Sequence, residues 1–310
     1  MGELRGRHFL TLQDFSKDEI MELIRLSDDL KRKLRRGEPH EYLRGKVLAL
    51  MFQKPSTRTR VSFEVAMHQL GGASLYLAWE RLQASRGESI SDTARVLSRY
   101  VDGIAARVYG HDILEEMAKH ATIPVINALS DFLHPCQALA DLYTMWERWG
   151  RLEGLKLAYV GDGNNVCNSL LIGCSKVGVD ISVACPDGYK PSRKVVEWAM
   201  QNAEESGSRV EILTEPEEAV RDANVIYTDV FVSMGMEAER EERLRVFLPK
   251  YQVRLELFRH AAEDAVFMHC LPAHRGEEVT PEVIDGERSI VFDQAENRLH
   301  TEKAILTLLL

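Results

Sequence analysis

Short apolar runs alternate with amphipathic stretches along almost the whole chain, and this alternation restricts the fold more than any single residue does. "KVLALMF", "SLYLA", "GIAARV" and "IPVINA" are too short for buried helices and apolar at nearly every position, so they read as strands. Strands without a polar face are covered on both sides, which points to a parallel sheet sandwiched by helices. A segment from Thr57 to Leu70, stopped by Gly71-Gly72, then "SDTARVLSRY" and "HDILEEMAKH", supply helices between the strands. Ahead of them, Ser16 and Glu19 in "SKDEIMELIRL" form a capping box for the first helix, which Gly37 ends.

A long helix is expected from Pro135 towards Trp149, and "GRLEG" (Gly150 to Gly154) then breaks the pattern. A second series follows: "KLAYVGDG", "DISVACP", "RVEIL", "NVIYTDV", "AVFMHCL" and "SIVFDQA" as strands, with helices such as "SRKVVEWAMQNAEESG" between them. "ENRLHTEKAILTLLL" reads as a terminal helix. The economical fold is α/β, with two doubly wound parallel-sheet domains carrying helices on both faces and joined near residue 150. In such sheets ligands bind beyond the carboxyl ends of strands, so the residues just after each strand carry the functional argument.

Charge narrows the partners. Lys plus Arg is 39 against Asp plus Glu at 48, a net charge of -9, which argues against a nucleic acid and its need for a broad basic face. No apolar run reaches spanning length, and "MGELRGRHFL" lacks both a secretory core and the Ser or Thr that myristoylation needs at residue 6. The five cysteines (Cys136, Cys167, Cys174, Cys185 and Cys270) form no CxxC pair, so a reduced, cytoplasmic setting is expected.

After the strand "KVLALMF" come Ser56, Thr57, Arg58, Thr59 and Arg60, at the mouth of a helix. Unpaired amides and the helix dipole there suit an anion; the hydroxyls add donors, and Arg58 offers a bidentate fork. A plain capped helix with solvated arginines explains the same residues equally well. Arg107 ends "GIAARV", Arg298 follows "SIVFDQA", and Arg60 points to a different side of its helix as a structural or ion-pair residue. His134, before Pro135, stands over the sheet edge where it can polarise a carbonyl oxygen or merely cap the helix, and Gln137 lies one turn on.

"YVGDGNNVCNS" half-matches a dinucleotide fingerprint, but Val166 stands where the third glycine belongs. Asn164 and Asn165 there fit amide contacts to a zwitterion, or simple turn chemistry. Asp229 follows "VIYT" and suits a ligand ammonium, or else a cap or ion pair; Ser233 and Met234 lie in the loop beyond it. Cys270 follows "VFMH" and precedes Leu271-Pro272. The pair His269-Cys270 invites a metal reading, but neighbouring strand side chains point to opposite faces and no further Cys or His completes a set. No metal and no cofactor are expected.

Together "FQKPSTRTRVSFEVAM", "RGESISDTARVLSRY", "HPCQALADL", "GDGNNVCNSL", "TDVFVSMG" and "HCLPAHRGEEV" closely resemble the aspartate/ornithine carbamoyltransferase superfamily, on its ornithine side. The resemblance runs from about Phe9 to the C-terminus. Aspartate enzymes of the family carry a Pro-Leu-Pro-Arg element for a second carboxylate where this chain has "CLPAHRGEE". The resemblance implies a carbamoyl-phosphate domain over 1–150, completed by the C-terminal helix (about 296–310) packing back on it, and an ornithine domain over 151–295.

It implies that Ser56, Thr57, Arg58, Thr59, Arg107, His134, Gln137 and Arg298 bind carbamoyl phosphate, with Gln83 contributed by a neighbouring subunit of a homotrimer or a multiple of trimers. It implies that Asn165, Asp229, Ser233 and Met234 bind L-ornithine, and that Cys270 and the Leu271 carbonyl lie against the reacting groups. Arg107, His134 and Cys270 are the expected catalytic residues. Phe231 departs from the family's usual Trp and puts the packing of its loop in question. Residues 233–243 are expected to be an exposed, mobile loop. The rival readings are a carbamoyltransferase for another amine, a nicotinamide-dependent dehydrogenase built on "GDGNN", and a non-enzymatic phosphate sensor.

Overall fold

The capping box closes as its spacing demands: Ser16 Oγ accepts from the Glu19 amide at 3.2 Å, and Glu19 Oε2 from the Ser16 amide at 2.8 Å. It opens α1 (Lys17–Arg35), and Gly37 leaves the helix at φ +66°. The computed structural model describes residues 4–233 and 235–310, and divides into one unit of Met1–Tyr143 with Glu296–Leu310 and another of Thr144–Ala295.

In the first unit β1 (Val47–Phe52), β2 (Ala73–Ala78), β3 (Gly103–Arg107) and β4 (Val125–Leu129) form a parallel sheet in the order β2-β1-β3-β4. They alternate with α2 (Thr57–Gln69), α3 (Ile90–Leu97) and α4 (His111–His120), and α5 (Pro135–Trp149) follows β4. Leu48 to Phe52 are all buried, so both faces of β1 are covered. Met51, Ile104 and Val125 share one core with Leu114 and Met117 of α4. Each such side chain contributes about 1.5–3 kcal/mol by leaving water.

The C-terminal tail belongs to this unit. A side chain on Gly103 would come within 3.1 Å of Leu310, and the Gly6 amide donates to the Leu309 carbonyl at 2.9 Å. Residues Ala304 to Leu306 and Leu308 to Leu310 are buried. No helix among the described residues is long and apolar enough to cross a membrane.

In the second unit β5 (Lys156–Val160), β6 (Asp180–Ala184), β7 (Val210–Leu213), β8 (Val225–Thr228) and β9 (Val266–His269) are parallel in the order β7-β6-β5-β8-β9. Their connections carry α6 (Asn165–Val177), α7 (Arg193–Ser206), the short α8 (Pro216–Ala219), α9 (Arg240–Phe247) and the short α10 (Pro281–Ile284). The strand order reverses between β1 and β3 in the first sheet and between β5 and β8 in the second. The crevice beyond a reversal is where such sheets hold ligands.

Three of the fold expectations fail. "SLYLA" is apolar but not covered on both faces: it lies in the edge strand β2, in which no residue is buried and Leu75 is half exposed. "SIVFDQA" is not a strand: it meets the sheet through a bridge from Ser289 to Phe267, whose carbonyl accepts from the Ile290 amide at 3.1 Å, and α11 (Val291–Leu309) starts inside the run. A short apolar run does not by itself separate strand from helix. Arg298 therefore stands in the middle of a helix. Nor is 233–243 one exposed loop, because α9 begins at Arg240 and Arg243 is buried. Its buried guanidinium pairs with Asp162 and pulls that end of the segment into the unit.

Candidate active site

The reversal in the first sheet gathers most of the residues expected to grip an anion. Ser56 is the N-cap of α2, its Oγ accepting from the Thr59 amide at 3.3 Å, so the capped-helix reading holds. Thr59, His134, Gln137 and Arg298 are nevertheless all buried, which a solvated helix start does not require. Arg298 Nη1 donates to Gln137 Oε1 at 2.8 Å, and its Nη2 reaches Thr59 Oγ1 at 3.4 Å. Gln137 Nε2 in turn donates to Asp141 Oδ1 at 2.8 Å, so the amide joins α11 to the interior of α5.

His134 reports the field. Burial pushes its pKa well below the ordinary histidine value, and the charges of Arg298, Arg107 and Arg58 lower it further. Three guanidinium groups from α2, the end of β3 and α11 therefore act on one imidazole, which is neutral at physiological pH. Arg107 sits where the β3–β4 register shifts, between Ala106 and Arg107. Arg60 is separate: it pairs with Glu64 at 2.9 Å and lies 3.8 Å over the Tyr76 ring, the structural role its position suggested. Thr57 is exposed, and Gln83 lies exposed on a short 3-10 turn (Gln83–Arg86), outside the contacts that gather the others.

The reversal in the second sheet builds a different constellation. Asp229, 7 % exposed, follows β8; its Oδ2 accepts from Asn164 Nδ2 at 2.7 Å, and its Oδ1 from the Cys270 thiol at 3.0 Å and the Val230 amide at 2.8 Å. Asn164 makes the link to Asp229. It is also the N-cap of α6, its Oδ1 accepting from the amides of Val166 and Cys167. Asn165 is the first residue of that helix and half-buried. Ser233 is half-buried, its carbonyl taking the Met236 amide at 2.9 Å; Met234 lies outside the described residues. Phe231 raises no packing problem: it is fully buried and stacks on Phe247 with ring centroids 4.6 Å apart.

Cys270 sits where β9 ends. Leu271 takes φ +58°, a left-handed conformation rare for a residue of its size, and its amide donates to His269 Nδ1 at 2.8 Å. His269 Nε2 faces Glu278 Oε1 at 3.1 Å, both side chains being fully buried. The strand alternation stops at this turn, so the argument that His269 and Cys270 face apart fails. Asp229, His269 and Cys270 each bring a potential ligand atom within 4.8 Å of the others. Both imidazole nitrogens of His269 are engaged, however, and the cluster is a hydrogen-bonded turn rather than an open ligand set.

The "GDG" turn is not shaped as a dinucleotide site. A side chain on Gly163 would lie 2.2 Å from the Pro191 nitrogen, so this glycine serves close backbone packing. Asp162 between the glycines is buried and pairs with Arg243, whose Nε also donates to the Phe231 carbonyl at 2.5 Å. Sequence reading missed Asp162, Arg243, Asp141 and Glu302. For two of them a signal existed: Gln137–Asp141 and Arg298–Glu302 are both i, i+4 pairs on helices.

Two family descriptions match the chain: the carbamoyl-P binding domain of aspartate/ornithine carbamoyltransferase over residues 7–147, and its Asp/Orn binding domain over 153–309. The chain is 59% identical over 307 residues to the ornithine carbamoyltransferase of Pyrococcus horikoshii, covering 99% of this chain and 96% of that one. It is equally similar, at 59%, to the anabolic ornithine carbamoyltransferase of Pyrococcus furiosus, covering 99% and 97%. The solved Pyrococcus furiosus structure superposes with a TM-score of 0.96 at 58% identity, covering 100% of this chain and 98% of that one. The ornithine carbamoyltransferase of Gloeobacter violaceus superposes with 0.88 at 50%, covering 99% of each.

Proposed function

The chain belongs to the aspartate/ornithine carbamoyltransferase family, and on that premise we propose how its residues carry the transfer. The reaction joins the δ-amine of L-ornithine to the carbamoyl carbon of carbamoyl phosphate, giving L-citrulline and phosphate, a step of arginine metabolism. The observation that carries the assignment of roles is the convergence of Arg58, Arg107 and Arg298 on the buried, neutral His134.

Carbamoyl phosphate is held by Ser56, Thr57, Arg58 and Thr59 at the start of α2, with Arg107, Gln137 and Arg298 completing the grip. Guanidinium forks and helix amides match phosphate oxygens and stabilise the charge that develops on the leaving group. His134, being neutral, retains an N–H to donate to the carbamoyl oxygen while Arg107 and Thr59 add charge and a hydroxyl. These donors favour the tetrahedral oxyanion over the planar ground state, which is how they accelerate the step.

Ornithine binds through Asn165, Asp229, Ser233 and Met234. Its δ-ammonium, with a pKa of about 10.4 by analogy with lysine, must lose a proton before attack, and a cationic, desolvated surrounding lowers that value. The Cys270 sulfur and the Leu271 carbonyl orient the amine. Asp229, or Cys270 once it is a thiolate, takes the proton lost before attack, and the departing phosphate can take the one the nitrogen releases after it. Gln83 reaches the phosphate site of a neighbouring subunit in a homotrimer or a multiple of trimers, and the protein works in the cytoplasm.

The test is citrulline formation from carbamoyl phosphate with ornithine, alongside putrescine, aspartate and N-acetylornithine, with Arg58→Ala as control. Turnover with ornithine alone, abolished in the control, is expected. Preference for another amine overturns the ornithine roles and leaves the phosphate site standing.

A further inference from the structure

One carboxylate in the first unit has no place in the roles just given. Glu302 is fully buried on α11, one turn beyond Arg298, and its Oε1 accepts from Arg298 Nη2 at 2.7 Å and Nε at 3.2 Å. The guanidinium is thus clamped on one edge by Glu302, while its other N–H groups go to Gln137 and Thr59. A buried ion pair of this kind is not needed for stability, since apolar residues of similar volume often serve as well. We propose that Glu302 is a positioning residue of the phosphate site: it fixes the orientation of Arg298 and, by binding or releasing a proton, sets how much of the Arg298 charge an arriving anion meets. The inference rests on the phosphate-binding role proposed for Arg298.

The surroundings of Glu302 support proton exchange on this group. Burial raises its pKa to about 7, although Arg298 and Ser62 of α2 act in the opposite direction. From α5 it faces Cys136, whose thiol is held protonated by burial and by the Glu302 charge; Asp141 on the same helix adds to the field on Arg298. His134, kept neutral by burial and the arginines, takes no part near pH 7. Lys303 is the next residue along, with its pKa lowered to about 8 by burial, but it points to His40 at 3.2 Å and Gln69 at 3.0 Å. Below pH 7 the neutral Glu302 leaves Arg298 with its full positive charge; above it the pair is neutral overall and attracts a phosphate less.

The experiment compares KM for carbamoyl phosphate in the wild-type enzyme and in Glu302→Gln across pH 6.5 to 8.5. Ionisation of the substrate is common to both proteins and cancels. Wild-type KM is expected to rise about three- to tenfold more than that of the variant over this range. Identical pH profiles, or a variant KM displaced equally at every pH, overturn the inference, whereas a wild-type protein that makes no citrulline overturns the functional reading beneath it. Sulfate, which does not titrate here, gives a second readout on the wild-type chain if the variant does not fold. Its competition against carbamoyl phosphate should weaken with a midpoint near pH 7; a flat profile, or a midpoint near the Lys303 value of about 8, rejects the role of Glu302.

Discussion

The Cys270 thiol donates to Asp229 Oδ1 at 3.0 Å, joining the ends of β9 and β8 at the reversal of the second sheet. With Asn164 Nδ2 on the other carboxylate oxygen and the Val230 amide on the first, Asp229 is fixed from three sides. Donating its proton to Asp229 makes the thiol part of this fixed turn, in keeping with the orienting role proposed for Cys270.

Asp229→Asn tests this directly. The substitution keeps the shape, removes the charge that attracts an ammonium group, and replaces one acceptor oxygen by a donor that opposes Asn164. Ornithine kcat/KM should fall by about a hundredfold or more, the loss of a charge-assisted hydrogen bond in a buried site. Steady-state kinetics varying each substrate in turn is the check, and KM for carbamoyl phosphate should move little.

Gln137→Leu addresses the other sheet. It withdraws one hydrogen bond from Arg298 and one from Asp141, both buried. The expected destabilisation is about 2–4 kcal/mol, from charged groups that lose partners without gaining water. Urea unfolding gives the energy, and a rise in KM for carbamoyl phosphate should accompany it. A stable variant with altered KM separates positioning from folding.

The parallel pairing of the short strands and most helix limits were legible in the sequence, because apolar runs too short for helices and alternating with amphipathic helices admit few other arrangements, although the edge strand β2 is not buried on both faces. "HDILEEMAKH" is α4 to the residue, and the Ser16 cap forms as its spacing demands. "SIVFDQA" misled because a short apolar run fits either element. The residues expected to hold the phosphate could be named through strand ends and resemblance, but their supports could not. Nothing local says that Asp162 meets Arg243, residues 81 apart in the chain, or that Asn164 reaches Asp229. Those pairings are decided by where two distant strands end.

Arg243→Lys probes the segment that follows Ser233. The arginine donates to the Phe231 carbonyl, pairs with Asp162 and lies 4.9 Å over the Tyr189 ring, and a lysine reproduces the charge without the planar fork. Ornithine KM should rise about tenfold while that for carbamoyl phosphate holds, since the loss falls on substrate positioning. Limited proteolysis between residues 233 and 239 should be faster in the variant. Equal rates would show that α9 holds the segment without this anchor.

The pH dependence of stability offers the last prediction, through Asp162. Burial is the largest influence and raises its pKa to about 6, despite the opposing charge and hydrogen bond of Arg243. An unfolded aspartate titrates near 3.9, so between about pH 4 and 6 the folded protein holds more protons than the unfolded chain. Stability from this group is therefore fully present below pH 4, falls as pH rises through 6, and is flat beyond. The two pKa values correspond to about 3 kcal/mol. Asp162→Asn cannot titrate, so the wild-type minus variant difference in unfolding free energy should decline across that window and then level. A difference that grew with pH would mean the Arg243 charge outweighs desolvation and holds the carboxylate ionised throughout.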